Sequence, residues 1–382
     1  MKKILFFLES LAGGGAEKTL ANIVTSIDKS KFDITVCTVT NGDVYQKIVE
    51  EHVKYRSLLD TGSLGRGIIC GLIYRIRLRL IYVLPPRLVY FLFIKGRYDI
   101  ECAFIEGYAT KLIAASTNRQ SKKIAWIHID MAKNPYAKTV YRSHAHHCRL
   151  YRKYDTICCV SNNVKEVFTS MFFDSRKVIV QYNPVDSDDI IRKGAELIDI
   201  IPDRTLQLCT IGRLEAQKGF SRLLECAGEL FKEGLAFSLW IIGEGSQRQM
   251  LEDIIKRYCM EKSVKLLGFQ SNPYKYLSKS DAFICSSYAE GFSTAATEAI
   301  ILHKPVFTTE CAGMTELFGE KKCGEIVENT DQSLKQMMRR LVSGEIIPSD
   351  YLAEVSERAM DFDIKIRIRE IEQLLDSPKE ST

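Results

Sequence analysis

The chain has 382 residues, of which 46% are hydrophobic and 26% are charged. This composition is typical of a folded protein with a large core, and it excludes disorder, collagen-like repeats and coiled coil as the main state. The net charge of +5, from 53 Lys and Arg against 48 Asp and Glu, is too small an excess to indicate a nucleic-acid-binding protein. At roughly 150 residues per domain, the length predicts two domains.

The N-terminus places two lysines before a short apolar run, as a secretory signal peptide does. Glu9 interrupts the run and no small-residue cleavage site follows, so we expect a buried strand over residues 3–8. The 12 cysteines are scattered along the chain without a CxxC pair. We therefore expect a reducing, cytosolic compartment in which the cysteines are small buried hydrophobic residues.

Short apolar runs alternate with segments of helical period in both halves of the chain. Helices are predicted over residues 17–27, 220–232, 247–259 and 296–302. Strands are predicted over residues 3–8, 32–39, 99–105, 123–129, 206–211, 236–242, 264–267, 282–285 and 305–308. Strands that are separated by segments of helix length predict parallel sheets with crossover helices. The fold class is therefore α/β, with two doubly wound domains.

The domain boundaries are predicted from composition. Residues 1–185 form the N-terminal domain and residues 205–360 the C-terminal domain, because Pro184 opens a polar, irregular connector that we take as a linker over 186–204. The remaining residues, 361–382, are expected to form a helix that crosses back to the N-terminal domain.

Residues 65–97 combine a long apolar stretch with interleaved arginines. The arginines near its middle and the pair Pro85-Pro86 make a membrane-spanning helix costly. A basic apolar segment suits the membrane interface, with Arg75, Arg77 and Arg79 on anionic headgroups. The alternative is an ordinary helix pair whose arginines extend over the core.

The loop Gly13-Gly14-Gly15 follows the first strand and precedes a helix, where backbone N–H groups can approach an anion. A Walker A loop is excluded because Glu17, rather than glycine, precedes Lys18-Thr19, and the glycine spacing does not match a dinucleotide fingerprint. A tight turn without a ligand is the alternative.

Two loops in the second half carry charged residues at the carboxyl edge of the predicted sheet, where ligands bind in such folds. Arg213 and Lys218 both belong to the segment 212–219 and could converge on one diphosphate. Glu290 and Glu298 flank a strand-to-helix turn, and carboxylates in this setting accept hydrogen bonds from pairs of sugar hydroxyls. Solvated charges would explain either loop taken alone.

Together these segments resemble the GT-B glycosyltransferases, most closely the retaining family 4, also called glycosyl transferases group 1. The resemblance includes WIHID at 126–130, IIGEG at 241–245, LLGFQ at 266–270 and EGFSTAATE at 290–298, and it covers nearly the whole chain. The segment AFIEG at 103–107 resembles bacterial capsule and exopolysaccharide members. The resemblance implies two Rossmann-like domains that face one another across a cleft, with the acceptor on the N-terminal domain and the nucleotide sugar on the C-terminal domain.

The resemblance also implies roles for individual residues. Arg213 and Lys218 match the cations that neutralise the donor diphosphate, Glu298 the acid on the ribose hydroxyls, and Glu290 the acid near the donor sugar. His128 matches the histidine that reaches the sugar from the other domain. The other donor-binding positions implied are Gly14, Gly15, Gly243, Gly245, Leu267, Phe269, Gly291, Phe292, Ser293 and Thr294. Many relatives have Gly or Leu in place of the last two, which could shift the sugar preference.

A histidine-rich segment invites a zinc hypothesis, since His144, His147 and Cys148 would share a helix face, with His146 beside them. Transferases of the resembled type use cations of the protein for the leaving charge. We therefore expect no metal and no cofactor, and an exposed or membrane-facing cluster.

The function implied is retaining transfer of a hexose or N-acetylhexosamine, with UDP as the favoured nucleotide, to a lipid-linked glycan in bacterial surface polysaccharide synthesis. Front-face attack is expected, with the departing phosphate oxygen accepting the acceptor's proton. The protein would be peripheral on the inner face of the plasma membrane. Alternatives are a GDP-mannose-dependent mannosyltransferase, a UDP-sugar epimerase of the same fold and a non-catalytic subunit that supports a transferase.

Overall fold

A computed structural model describes residues 1–63, 68–133, 139–200 and 205–379. The chain divides into two compact units, an N-terminal unit of Met1–Pro184 with Lys365–Thr382 and a C-terminal unit of Val185–Ile364. Parts of three predictions lie outside the described residues: positions 65–67 of the basic apolar segment, 201–204 of the linker and 380–382 of the last helix.

The N-terminal unit is built on a seven-stranded parallel sheet with the strand order β3-β2-β1-β4-β5-β6-β7. The strands are β1 (Lys2–Leu8), β2 (Phe32–Thr38), β3 (Lys54–Ser57), β4 (Ile100–Ala103), β5 (Lys122–Ile127), β6 (Thr156–Cys159) and β7 (Val178–Val180). In the centre, Ile4 is in register with Ile34 on one side and Ile100 on the other. These apolar runs are buried on both faces, as parallel sheets covered by helices require.

Helices connect and cover these strands. They are α1 (Gly15–Ser26), α2 (Gln46–His52), α3 (Ile68–Val83), α4 (Pro86–Phe93), α5 (Tyr108–Ile113), α6 (His144–Tyr151) and α7 (Asn162–Met171), and the last helix of the chain, α16 (Ile364–Asp376). The last helix packs on the N-terminal sheet: Lys122 Nζ donates to the Leu374 carbonyl at 2.7 Å, and the Asp28 amide donates to Glu372 Oε1 at 2.9 Å.

The C-terminal unit contains a six-stranded parallel sheet with the order β10-β9-β8-β11-β12-β13. Its strands are β8 (Gln207–Ile211), β9 (Ser238–Ile242), β10 (Val264–Gly268), β11 (Ala282–Cys285), β12 (Val306–Thr309) and β13 (Gly324–Val327). Its helices are α8 (Ser187–Gly194), α9 (Phe220–Lys232), α10 (Arg248–Arg257), α11 (Tyr274–Leu277), α12 (Thr294–Ile301), α13 (Met314–Phe318), α14 (Asp331–Val342) and α15 (Leu352–Ala359). Two apolar layers, one on each face of the sheet, form the core.

The predicted irregular linker is wrong over its first part, because α8 occupies it. The Asp186 carboxylate caps this helix by accepting from the Asp189 amide at 3.0 Å. Acidic residues in its first turn and basic residues in its last turn complement the helix dipole. Ile190 anchors the helix in the core of the C-terminal unit at 2% exposure. The segment lacks an apolar pattern because the helix is stabilised by its caps and one buried side chain.

Within the described residues, no helix has both the length and the apolar character that crossing a membrane demands.

Candidate active site

An ion pair marks the point at which the strand order of the C-terminal sheet reverses, between β8 and β11. Lys218, from the loop after β8, places Nζ 2.6 Å from Glu290 Oε1, from the loop after β11. The Ser287 hydroxyl donates to the same carboxylate oxygen at 2.6 Å. In open α/β sheets such a switch point is the usual ligand site.

The pair is partly shielded from solvent, with 23% of the Lys218 side chain and 9% of the Glu290 side chain exposed. Burial alone would lower the pKa of Lys218, but attraction and hydrogen bonding by Glu290 outweigh it, so the pKa is raised. Lys218 is therefore a fixed cation. Within the described residues both hydrogen bonds to Glu290 end on Oε1, which leaves Oε2 open to a ligand hydroxyl.

Close backbone packing positions the Lys218 loop. Gly219 has φ +64°, and a Cβ at this position would lie 2.1 Å from the Ser286 carbonyl oxygen. Arg222, in the first turn of α9, is 4% exposed and donates from Nε to the same carbonyl at 2.8 Å. Its Nη2 also donates to Thr309 Oγ1 at 3.2 Å and Asn329 Oδ1 at 2.8 Å. This buried guanidinium thereby connects the segments after β11 and β13 to the end of β12.

Arg213 differs from Lys218 although both belong to the same loop. Its side chain is exposed and makes no hydrogen bond or ion pair with the described residues. Its charge acts on Lys218 in the direction that lowers the pKa of that lysine. An anion that binds both cations would relieve this repulsion, although the convergence of the two on a diphosphate stays a prediction.

The helix α12 begins directly after Glu290-Gly291-Phe292. The Ser293 hydroxyl caps the helix by accepting from the Ala296 amide at 3.3 Å, so this side chain is engaged in the fold. Glu298 lies inside the same helix, 4% exposed, and accepts from the Tyr274 hydroxyl at 3.3 Å. One predicted acid thus lies in the turn before α12 and the other inside that helix.

The predicted base-binding loops follow β9 and β10. A Cβ on Gly243 would lie 1.9 Å from the Gly212 carbonyl oxygen, and one on Gly245 would lie 2.5 Å from that of Leu214. Both glycines are therefore needed for the loops after β8 and β9 to meet. Leu267 is half-buried, while Phe269 is 54% exposed.

In the N-terminal unit, His128 directly follows β5 and is 9% exposed. Burial lowers its pKa to about 4, and a hydrogen bond with the backbone of Phe104 offsets only part of this effect. The ring is therefore neutral at pH 7, and within the described residues its Nε2 atom has no hydrogen-bond partner. A neutral imidazole nitrogen without a partner can accept a hydrogen bond from a ligand hydroxyl.

Glu106 fixes the backbone at His128. It is 1% exposed, and its Oε1 accepts from the amides of both His128 and Ile129. Glu106 lies within AFIEG, yet no role was predicted for it. The available signal was an acid directly after the predicted strand over residues 99–105, where a buried carboxylate needs hydrogen-bond partners.

The glycine loop of the N-terminal unit forms the start of α1, with Gly14 as the N-cap and Gly13 at φ +100°. Glu17 is buried there, and a Cβ added to Gly14 would lie 2.3 Å from its Oε2 atom. A carboxylate thus already lies at this helix N-terminus, where it is electrostatically favourable. The binding of the donor by Gly14 and Gly15 stays a prediction.

The histidine-rich helix α6 packs against aromatic rings. His147 stacks on Tyr141 with ring centroids 3.5 Å apart, and His144 stacks on Phe172 at 5.4 Å. Across the parts of the chain that are described, no group of three or more His, Cys, Asp or Glu side chains is placed to hold a metal ion. These imidazoles contribute to an aromatic cluster.

Comparison with known proteins identifies the class. Residues 13–189 match the family described as Glycosyltransferase Family 4, and residues 199–360 match the family described as Glycosyl transferases group 1. The protein is therefore a glycosyltransferase with the GT-B fold, and the expected pair of Rossmann-like domains is confirmed. It belongs to the family 4, group 1 glycosyltransferases.

Curated relatives come from bacterial glycan synthesis. The chain is 30% identical over 222 residues to the Campylobacter jejuni N-acetylgalactosamine-N,N'-diacetylbacillosaminyl-diphospho-undecaprenol 4-alpha-N-acetylgalactosaminyltransferase, a match over 57% of this chain and 59% of that protein. It is 30% identical over 187 residues to the putative colanic acid biosynthesis glycosyltransferase WcaL of Escherichia coli, a match over 46% of each chain. The chain thus matches about half the length of these relatives.

Solved structures resemble the chain over its full length. The Anabaena protein HepE in complex with UDP-glucose has a TM-score of 0.73 at 18% identity and covers 98% of this chain and 99% of its own. TarM of S. aureus has a TM-score of 0.73 at 14% identity, with 99% and 100% covered. At these identities the likeness shows the fold alone.

Proposed function

We propose that this glycosyltransferase moves a hexose or N-acetylhexosamine from a UDP-sugar to a lipid-linked glycan in bacterial surface polysaccharide synthesis, with retention of anomeric configuration. The observation that carries the proposal is the Lys218–Glu290 pair at the switch point of the C-terminal sheet. The pair places a cation that can bind phosphate beside a carboxylate that can accept hydrogen bonds from sugar hydroxyls.

In the proposed reaction, the bond between the anomeric carbon and the diphosphate oxygen breaks, and the acceptor oxygen bonds to the same carbon on the same face. The acceptor's proton passes to the departing phosphate oxygen. Lys218 and Arg213 stabilise the negative charge that develops on the diphosphate, which is the main electrostatic requirement of this reaction. Because these cations supply the positive charge, we propose that the transfer needs no metal or cofactor.

The other predicted residues act on binding. Glu298 would hold the ribose hydroxyls, Phe269 and Leu267 would contact the base, and His128 Nε2 would accept from a hydroxyl of the donor sugar. The UDP assignment is supported by the UDP-glucose in the HepE complex, a protein of the same fold. The lipid-linked acceptor is supported by the Campylobacter jejuni relative, whose name specifies a diphospho-undecaprenol substrate.

A lipid-linked acceptor requires the enzyme at a membrane. We propose a peripheral location on the inner face of the plasma membrane, with Arg75, Arg77 and Arg79 on anionic headgroups. All three side chains are exposed and make no hydrogen bond or ion pair with the described residues. Each such cation near an anionic surface contributes about 1 kcal/mol.

The test incubates the purified protein with radiolabelled UDP-, GDP- and ADP-sugars and a bacterial membrane extract, with and without EDTA. The proposal predicts label from a UDP-sugar in the lipid fraction, with EDTA having no effect. Transfer from GDP-mannose would replace the nucleotide assignment, while an isomerised donor would indicate an epimerase. Complete inertness with every donor would indicate a non-catalytic subunit.

A further inference from the structure

The exposed apolar residues of this protein are concentrated in one short part of the chain. Of 23 exposed large hydrophobic side chains among the described residues, 11 lie between Ile69 and Phe93, in α3 and α4. Isolated exposed apolar residues are ordinary on protein surfaces, but a contiguous set marks an interaction surface.

Helix α3 presents two apolar faces. Tyr74 and Ile81 face the core at 8% and 1% exposure. At about 100° per residue, six exposed apolar side chains fall within one arc of about 100° on the opposite face. This exposed stripe consists of Ile69, Leu72, Ile73, Ile76, Leu80 and Val83, which are 45% to 74% exposed. A helix of an ordinary surface layer needs only the first face, so the stripe requires a separate explanation.

The arginines of α3 flank the exposed stripe. By the same helical geometry, Arg75 and Arg79 lie along one side of it and Arg77 along the other. No aspartate or glutamate occurs from residue 61 to residue 98, whereas the exposed side chains of Arg87, Lys95 and Arg97 add further positive charge. An apolar stripe that has cations on both sides and lies in a segment without acidic residues is complementary to a surface whose charge is negative and whose interior is apolar.

Helix α4 carries further exposed apolar side chains. Leu88, Phe91 and Leu92 are 41%, 66% and 45% exposed, and Val89 and Tyr90 face the core. Pro86 occupies the first turn of α4, so the chain bends between the two helices instead of continuing as one long helix. Two short helices connected in this way can lie flat on a surface.

We infer that the exposed stripe of α3, with Leu88, Phe91 and Leu92 of α4, inserts into the acyl-chain boundary of an anionic lipid bilayer while the flanking arginines stay at the headgroups. The proposal deepens the membrane-bound acceptor of the proposed function. It differs from attachment by arginines alone, because the apolar side chains supply the part of the binding that salt does not screen.

Hydrogen bonds of three tyrosines connect the inserted helices to the rest of the N-terminal unit. The Tyr82 hydroxyl donates to Glu9 Oε2 at 2.9 Å, and the Tyr108 hydroxyl donates to the Ile81 carbonyl at 2.6 Å. In α4, the Tyr90 hydroxyl donates to the buried Glu101 at 2.6 Å. Insertion of α3 and α4 would therefore orient the whole N-terminal sheet on the membrane. Glu9 lies between β1 and the glycine loop. The hydrogen bond from Tyr82 therefore connects α3 to the segment that leads into that loop.

Vesicle binding without any sugar nucleotide tests the inference independently of transfer. The probes are vesicles of phosphatidylglycerol and phosphatidylethanolamine, and the test variant is Leu72→Ser/Ile76→Ser. Both residues are exposed, so the fold does not depend on them. The matched control is Ile347→Ser/Met360→Ser, which removes two side chains that are 50% and 78% exposed in the C-terminal unit. We expect at least about tenfold weaker partitioning of the test variant and unchanged partitioning of the control.

Two further measurements distinguish insertion into a bilayer from coverage of the exposed stripe by another partner. In about 1 M NaCl, where the Debye length is about 3 Å, wild type should remain partly bound. The fluorescence of a Leu72→Trp variant should shift to the blue with vesicles and be quenched by brominated acyl chains, since the native Trp126 and Trp240 are buried at 1% and 2% exposure. Equal partitioning of wild type and the serine variant, full release by salt or unchanged tryptophan emission would overturn the inference. So would a dimer that the serine variant dissociates, because a second copy would then cover the stripe.

Discussion

The Lys218 ammonium and the Glu290 carboxylate meet at 2.6 Å although 72 residues separate them in the chain. The meeting is possible because parallel strands β8 and β11 are neighbours in the sheet and their following loops share one edge. A lysine carries three N–H donors, so the contact with Glu290 leaves two for phosphate oxygens. Binding of a diphosphate would then complete a preformed arrangement.

The two glutamates of the candidate site are predicted to act on different steps. Glu290→Gln should lower kcat at least about tenfold and leave UDP affinity within about twofold, since its proposed contact is with the reacting sugar. Glu298→Gln should weaken UDP binding about tenfold or more, because a hydrogen bond to a charged group is worth roughly 1.5–3 kcal/mol. Calorimetric titration of UDP and steady-state kinetics separate the two effects.

The control for these variants is Glu310→Gln, which changes an exposed acid at the end of the neighbouring strand β12. This control should alter neither kcat nor the affinity for UDP. If UDP binds the Glu298→Gln variant as tightly as wild type, the ribose assignment is wrong.

Glu106 is predicted to be a positioning residue for His128. Glu106→Ala leaves the amides of His128 and Ile129, the first of them buried, without this acceptor, which should cost about 1–3 kcal/mol of stability and displace the His128 backbone. We expect kcat per folded molecule to fall at least about tenfold with unchanged UDP affinity. Glu106→Gln should restore most of kcat, because both amides bond to one oxygen and the amide side chain keeps an oxygen acceptor. A glutamine variant as inactive as the alanine variant would contradict this role.

The sequence predicted most central strands because each is a short apolar run, and the strand at Ala282–Cys285 and the helix at Phe220–Lys232 have the predicted bounds. It missed β3, β6, β7 and β13. Three of these, β3, β7 and β13, lie at sheet edges, and most of their residues are only half-buried or exposed, so they show no long apolar run. The inner strand β6 is buried, but its run of Thr156–Cys159 is short and was also missed.

Individual site residues were predictable where a motif contains them, but their contacts were not. Lys218 was assigned to a diphosphate together with Arg213, and the structure adds the ion pair with Glu290. Ser287 and Arg222 were missed because a serine after a strand and an arginine in a helix have no distinctive pattern. Their importance depends on contacts with residues 3 and 64 or more positions away.

The arginines of α3 are predicted to contribute the salt-sensitive part of membrane attachment. Changing Arg75, Arg77 and Arg79 to glutamate should abolish binding to anionic vesicles at physiological salt, because headgroup attraction becomes repulsion. Transfer to a lipid-linked acceptor should fall more than donor hydrolysis. The matched control reverses three exposed lysines of the C-terminal unit, Lys256, Lys262 and Lys265.

The charge-reversed control should keep both vesicle binding and transfer. A triple arginine variant that still sediments with the vesicles would remove the arginines from the attachment.

Two buried histidines make the stability of the N-terminal unit depend on pH. Burial lowers the pKa of His128 and of His147 to about 4 each. Because these values lie below the ordinary value near 6.5, the unfolded chain binds more protons as the pH falls, and stability decreases from about pH 6.5 downwards. Between pH 6.5 and 5 each histidine should lower the free energy of unfolding by about 2 kcal/mol.

The measurement is urea denaturation in a Trp240→Phe background, in which Trp126 of strand β5 reports on the N-terminal unit. His147→Phe keeps a ring against Tyr141 and should lose about 2 kcal/mol less than its parent between these pH values. The control His52→Phe changes a ring that is not buried, and its free energy of unfolding should depend on pH as that of the parent does. Identical pH slopes for His147→Phe and its parent would contradict the assignment.

The most direct test of the account is single-turnover transfer from labelled UDP-sugar to the lipid fraction by Lys218→Ala and Arg213→Ala, with Lys265→Ala as the control. Each test variant removes a proposed contact with the charge that develops on the leaving diphosphate, an effect worth roughly 3 kcal/mol. We predict that each slows the transfer step at least about a hundredfold, while the exposed Lys265→Ala variant matches wild type. Transfer at the wild-type rate by both test variants would contradict the claim that these cations stabilise the leaving group.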